Sequence, residues 1–310
     1  MVDEAARLGI DACGVCRAEA YVRAEALIRE RWAAGFFADM RFTMAHPERS
    51  CHPETLLRGA RSVVAAARSY ARPEPPKPSD RPRGRMPRYT RQDDYAVLRD
   101  QLGMLGSRLE QWAPGARSAV FVDANHHVDR EAAARSGIAV YGKNTMAITR
   151  RHGSWVVLGA LVTDVDLEPT HAAAEEPAWD ACGSCRACID ACPTGAIVGD
   201  GVLDARLCLS YHTQSRMDEL PFPGELGDRV YGCDICQDVC PWNTGAERRA
   251  EGLEPDAVDD AFPPLEEWLG ADPDELAHRY RRLYVPDLDG RRLARNARAA
   301  LANVTARSQS

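Results

Sequence analysis

The spacing of eight cysteines constrains this chain more than any other feature. Cys182, Cys185, Cys188 and Cys192, the last followed by Pro193, read C-x2-C-x2-C-x3-C-P, a run that ligates cubane iron–sulfur clusters. Cys233, Cys236 and Cys240, followed by Pro241, repeat its second half, and Cys208 brings the thiolates to eight. Two-residue gaps wrap a tight loop around one cube. A three-residue gap starts a helix that points away, so the last cysteine of a run faces the other cube. The spacing predicts two [4Fe-4S] clusters, one on Cys182, Cys185, Cys188 and Cys240, the other on Cys192, Cys208, Cys233 and Cys236. Paired cysteines also suit tetrahedral zinc, but zinc accounts for neither the x3-C-P endings nor the third cysteine of the first run.

Eleven cysteines in 310 residues would mean disulfides in a secreted protein. Met1-Val2-Asp3-Glu4 lacks the basic head and apolar stretch of a secretory signal, and no apolar run approaches the roughly 20 residues of a membrane span. A cytoplasmic protein with reduced thiols and no membrane partner is expected. Cys13, Cys16 and Cys51 are then buried or half-buried small apolar groups. Two clusters carry single electrons, which requires an external electron donor and a terminus that consumes them.

Runs rich in β-branched residues at Arg61–Tyr70, Arg117–Val122 and Trp155–Val165 are separated by helical composition, as over Glu19–Trp32. They predict an α/β (α+β) layered domain over residues 1–171. A linker beginning at His171 leads into a double-cluster, bacterial ferredoxin-like domain over 172–250. An acidic, Pro-rich connector from Gly252 to Leu265 then leads into a short helical tail within 251–310, helical from His278 to Ala302.

A net charge of −7 excludes a uniformly basic nucleic-acid protein but leaves room for local patches. From Arg68 to Arg91, eight basic residues stand against two acidic ones among six prolines. Such a segment is irregular. It is either a solvated loop or a mobile arm that meets phosphate with six net positive charges. The stretch Arg279–Arg298, with seven arginines against two acids, offers a second basic surface. Only Lys77 and Lys143 among the 39 basic residues are lysines, and Lys143, between Gly142 and Asn144, marks a place for a compact ammonium.

Several stretches together resemble the epoxyqueuosine reductase family, over nearly the whole chain. They are Arg49 before Pro53, Leu56-Leu57-Arg58-Gly59-Ala60, Val122-Asp123 ahead of Arg130, Gly142-Lys143-Asn144-Thr145 and Gly153-Ser154-Trp155. The first cysteine run, Cys208-Leu209-Ser210-Tyr211 and Tyr231 through Asn243 continue the series. Arg295-Asn296-Ala297 through Asn303 resembles the first helices of the family's C-terminal HEAT-like region, cut short. The resemblance implies a nitroreductase-like α/β domain that holds base-off cobalamin, one cluster close to the corrin, and a transfer RNA whose anticodon-loop epoxyqueuosine is reduced to queuosine. A monomer is expected.

On this resemblance Asp123 takes the place of the proton-donating aspartate. A general acid needs a protonated carboxyl, which burial against an apolar corrin face favours. Lys143 and Asn144 are read as corrin or substrate contacts, and Arg49 and Ser210 as parts of the cobalamin pocket. The chain departs from the family after the aspartate. A small residue and a proline usually follow, whereas here the sequence is Ala124-Asn125-His126-His127. The two histidines are either exposed loop residues or groups near the cobalt face, where an imidazole can serve as an axial ligand. The same cofactors would also serve a corrinoid iron–sulfur reductase acting on a small molecule, as in reductive dehalogenases. A ferredoxin-like carrier without catalysis is the third reading.

Overall fold

The computed structural model describes residues 1–171 and 179–308. Its first part runs α1 (Val2–Arg7), β1 (Ala12–Arg17), α2 (Val22–Ala33), α3 (Pro47–Ser50), β2 (Ser62–Ser69), α4 (Asp94–Trp112), β3 (Ser118–Val122) and α5 (Asp129–Arg135). The short pair β4 (Ala139–Tyr141) and β5 (Ala147–Thr149) follows, then β6 (Val156–Thr163). Four strands form one sheet in the order β1-β2-β6-β3, each neighbouring pair antiparallel. The three β-branched runs read from the sequence are β2, β3 and β6, whereas α1 is too short to show a period.

These strands read as nearly continuous apolar runs because the sheet is covered on both faces. Val64, Ala66, Val157 and Leu161 pack on Leu98, Leu102, Leu105 and Leu109, a stripe along α4. Val63, Ala65, Ala160 and Val162 point the other way, toward Tyr21, Ala24 and Ala132 on the α2 and α5 side. Asp93 begins α4, its carboxylate accepting from Ala96 N–H.

The second part carries the cysteines on α6 (Ala187–Asp190), the hairpin β7 (Ile197–Gly199) and β8 (Val202–Leu203), α7 (Leu209–Gln214), α8 (Ile235–Asp238) and α9 (Pro241–Ala250). It closes with α10 (Val258–Ala261), α11 (Leu265–Gly270), α12 (Pro273–Arg279) and α13 (Arg291–Ser308). The linker expected from His171 falls mainly on 172–178, outside the described residues. No helix among the described residues is long and apolar enough to cross a membrane.

Two expectations are corrected. The tail is not one helical run: α12 stops at Arg279 and α13 starts at Arg291, since Pro286 interrupts the helix and Asp287 adopts φ +58°. Nor is the basic stretch a free phosphate-binding arm. Lys77 pairs with Asp228 at 2.7 Å, Arg81 with Glu267 at 2.9 Å and Arg83 with Asp259 at 2.6 Å. Arg91 meets Glu74 at 2.6 Å and Asp256 at 3.4 Å, and both it and Arg83 are buried. Charge counted within the segment missed these partners because most lie far along the chain. The segment is a strap: Gly84 N donates to Pro263 O, Arg85 N to Asp228 O and Met86 N to Ala261 O, and Met86 packs with Val230, Tyr231, Leu265 and Trp268.

Candidate functional site

The structure sets Cys188 and Cys240 near Cys182 and Cys185, and Cys233 and Cys236 near Cys208, which itself neighbours Cys192; Cys236 also lies near Cys188. Burial first, and then the Cys182, Cys240 and Cys185 sulfurs, disfavour ionisation of Cys188. Burial likewise raises Cys240, with Cys182 and Cys185 adding to it. In the other group burial pushes Cys233 up to about 11 and Cys236 well above the usual thiol range, and the Cys208 sulfur adds to both. Cys208, also raised by burial, feels Cys192. Backbone N–H groups point at these sulfurs: Lys143 N lies 3.4 Å from Cys182 Sγ and Ala196 N 3.3 Å from Cys192 Sγ. Tyr211 and Ser210 supply donors for Cys208, and Trp242 and Asn243 for Cys240. Amide donors around clustered thiolates are the setting an iron–sulfur cluster requires, so the residues fit two four-iron cubes.

Two of the contacts that lock the cysteine segments to the sheet domain involve residues marked in the sequence. In the turn between β4 and β5, Lys143 Nζ donates to Gly183 O at 2.9 Å and pairs with Asp200 at 3.1 Å. The neighbouring Asn144 is buried and donates to Cys236 O at 3.2 Å. Thr145 follows at φ +67°, unusual for a β-branched residue. The second contact is a buried polar junction before β6. Ser154 N donates to Asn243 Oδ1 at 2.7 Å, Ser154 Oγ to Gln237 Oε1 at 2.9 Å, and Asn243 Nδ2 to Gln237 O at 2.8 Å. Gly153 is obligatory beside it, with φ +56° and no room for a Cβ against Asn243 and Trp242. The sequence marked Gly153-Ser154-Trp155 and Trp242-Asn243 as motifs without showing that they bond to each other.

Asp123 ends β3 in the left-handed region at φ +52°, a conformation that costs about 1 kcal/mol or more in a non-glycine residue. Its side chain is exposed at the surface, yet the surrounding protein desolvates the carboxyl and raises its pKa, an effect that the Arg99 guanidinium opposes. Arg99 is held there by donating to Val122 O at 3.3 Å. Burial, with Asp123 adding to it, keeps the Tyr95 and Tyr231 phenols protonated. Tyr231 stands two residues before Cys233 and feels the Asp123 charge. Tyr95 and Arg99 escaped the sequence reading, and Tyr231 entered it only as part of a motif, because only the folded chain shows which groups feel the aspartate.

Arg49 lies exposed on α3 and forms no ion pair among the described residues. Ser210 lies on α7, its Oγ accepting from Gln214 Nε2 at 3.1 Å, which leaves its own proton available. The histidines divide. His126 is exposed, but His127 is buried and bonded to Tyr21 and Asp129, so it is neither a loop surface group nor placed to be an axial ligand. Cys16 and Cys51 are buried and Cys13 half-buried; burial pushes the first up to about 12, the second to about 11 and the third to about 12, as unreactive thiols require.

Residues 181–243 match a family model described as a 4Fe-4S double cluster binding domain, and residues 50–124 one described as epoxyqueuosine reductase QueG, DUF1730. An epoxyqueuosine reductase of Leadbetterella byssophila is 33% identical over 285 residues, covering 91% of this chain and 90% of the relative. A crystal structure of epoxyqueuosine reductase with a tRNA-Tyr epoxyqueuosine-modified stem loop is similar at a TM-score of 0.87 and 31% identity, covering 97% of this chain and 80% of that one. A Bacillus subtilis epoxyqueuosine reductase, described with its catalytic aspartate loop swung out of the active site, matches at 0.84 and 31% identity with the same coverage.

Proposed function

Because the chain belongs to the epoxyqueuosine reductase family and is an oxidoreductase, we propose that it reduces epoxyqueuosine to queuosine in the anticodon loop of a transfer RNA. The eight cysteines would hold two [4Fe-4S] clusters that carry single electrons from an external donor, and a nitroreductase-like domain over residues 1–171 would hold cobalamin. Cobalamin, when bound, supplies reducing electrons to the epoxide carbon. Two electrons and two protons convert the epoxide to the alkene and water.

The observation that carries this reading is Asp123 itself, exposed and held in the left-handed region just after β3, with Arg99 anchored on the neighbouring Val122 O. Desolvation holds its carboxyl protonated further up the pH scale, which suits it to deliver a proton to the departing epoxide oxygen. A relative's aspartate loop has been captured swung out, which supports a mobile Asp123 loop here. The donor chemistry suits a corrinoid, whose amide and phosphate groups accept hydrogen bonds. Arg49 and the Ser210 hydroxyl would hold it, while Lys143 and Asn144 carry the corrin-side turn on the cysteine loops. The arginines of Arg279–Arg298 that form neither an ion pair nor a side-chain hydrogen bond among the described residues, the exposed Arg279 and Arg298, face the RNA phosphates. The protein acts in the cytoplasm as a monomer.

The test is an anaerobic assay of cobalamin-loaded protein on an epoxyqueuosine-containing transfer-RNA stem loop. Asp123→Asn should abolish turnover while both clusters and cobalamin remain bound. Full activity in that variant excludes the assigned role.

A further inference from the structure

The loop that carries Asp123 is held very differently at its two ends. Asp123, Asn125 and His126 are exposed, and Asp123 occupies the left-handed region. At the far end His127 turns inward until its side chain is fully buried. Its Nδ1 lies 2.7 Å from Asp129 Oδ1 and its Nε2 3.1 Å from the Tyr21 hydroxyl. The neutral imidazole satisfies both contacts, with Nδ1–H donating to the carboxylate and Nε2 accepting from the phenol.

Burying both ring nitrogens requires a partner for each, and the partners come from separate elements. Asp129 is the first residue of α5, and Tyr21 precedes α2 with no exposed surface of its own. The rings of Tyr21 and Phe121 flank the imidazole with centroids 5.8 and 6.2 Å away. Main-chain bonds complete the attachment: His127 N to Ala124 O, Val128 N to Ser50 O and Tyr21 N to Cys51 O. This ties the end of the loop to the chain around α3, which also carries Arg49.

We propose that Tyr21, His127 and Asp129 form an internal clasp that fixes the far end of the Asp123 loop, confining its movement to Asp123–His126 and making His127 a positioning residue for the aspartate. The inference rests on the reading of Asp123 as the proton donor. The clasp sets the radius of the loop's swing. With it closed, the aspartate returns to one place after each excursion; with it open, the loop has additional conformations and the carboxyl is correctly placed for a smaller fraction of the time.

The experiment uses the full chain, loaded with clusters and cobalamin, and His127→Phe, which keeps a ring but removes both hydrogen bonds. Hydrogen exchange at amides 124–128 without RNA should rise at least about tenfold, as expected from losing two buried hydrogen bonds, with β3 unchanged. On the stem loop, kcat should fall by up to about 100-fold with KM nearly constant, the signature of a displaced catalytic group. Tyr21→Phe removes a single oxygen, should fold, and should give the same pattern at smaller amplitude. Unchanged exchange in both variants overturns the clasp, as does a loss expressed only in KM. Raised exchange together with a fully active Asp123→Asn leaves the clasp standing and removes the proton-donor reading, so the two ideas fail separately.

Discussion

Replacing Asn243 with alanine tests whether the buried junction joins the cysteine segments to the sheet domain. The change strands the buried Ser154 N–H, which donates to Asn243 Oδ1 at 2.7 Å and has no other acceptor among the described residues. An unsatisfied buried donor costs about 1–3 kcal/mol. Two bonds from Nδ2, to Gln237 O at 2.8 Å and Ser154 Oγ at 3.0 Å, disappear as well. Their loss is milder, because Gln237 O keeps the Cys240 N–H and Ser154 Oγ still donates to Gln237 Oε1. Alanine also suits α9 better than asparagine by about 0.6 kcal/mol. The net expectation is about 2–4 kcal/mol of destabilisation. At roughly 2–4 °C per kcal/mol for a large domain, the melting midpoint should fall by about 4–16 °C. The assay is anaerobic thermal unfolding of cluster-loaded protein, followed both by far-ultraviolet circular dichroism and by loss of iron–sulfur absorbance. Both signals should move together, since the junction touches the Cys240 helix directly. A shift under about 2 °C would refute the reasoning, and Ser154→Ala should give a smaller shift in the same direction.

As a general acid Asp123 must be protonated, so turnover falls as pH rises through its elevated pKa. Arg99 lowers that pKa, so Arg99→Gln should raise it and move the alkaline limb of the pH–rate profile to higher pH; movement to lower pH contradicts the assignment. Anaerobic iron analysis should give about eight irons per chain, and Cys188→Ala and Cys236→Ala about four each, from different clusters distinguishable by EPR. Arg91→Met should destabilise the fold by about 1–3 kcal/mol, since it removes bonds to Glu74, Asp256 and Met86 O while Glu74 keeps Arg85 and Asp256 keeps Gln92. Salt titration of stem-loop binding should leave its slope unchanged, whereas a slope reduced by about one means that Arg91 neutralises a phosphate.

The cysteine groups were legible because their geometry is local: two- and three-residue gaps determine which sulfurs share a loop. The strands of the main sheet were legible for a similar reason, as short β-branched runs in a sheet buried on both faces. Asp123 is different. Nothing in composition or period distinguishes it from an aspartate that caps a helix, and it was found only through the family resemblance. Lys143 and Asn144 were recognised as special, but their side chains bond to Gly183, Asp200 and Cys236, contacts that a motif cannot show. His127 was misjudged because a histidine pair in a turn carries no sign of which member points inward. The strap arginines were misjudged because charge was counted along the chain, whereas tertiary structure selected their partners.

That strap bears on how the protein is made. Lys77, Arg91 and Arg83 wait for carboxylates 151, 165 and 176 residues downstream. Translation therefore delivers the sheet domain with Met86 uncovered and the strap cations short of their downstream carboxylates, and it keeps that condition until Asp259 and its neighbours have been made. The cysteines emerge during this interval. Metallocentre assembly and closure of the strap thus belong to the same late stage of biogenesis, and a fragment ending after β6 should be poorly soluble even though its sheet is complete.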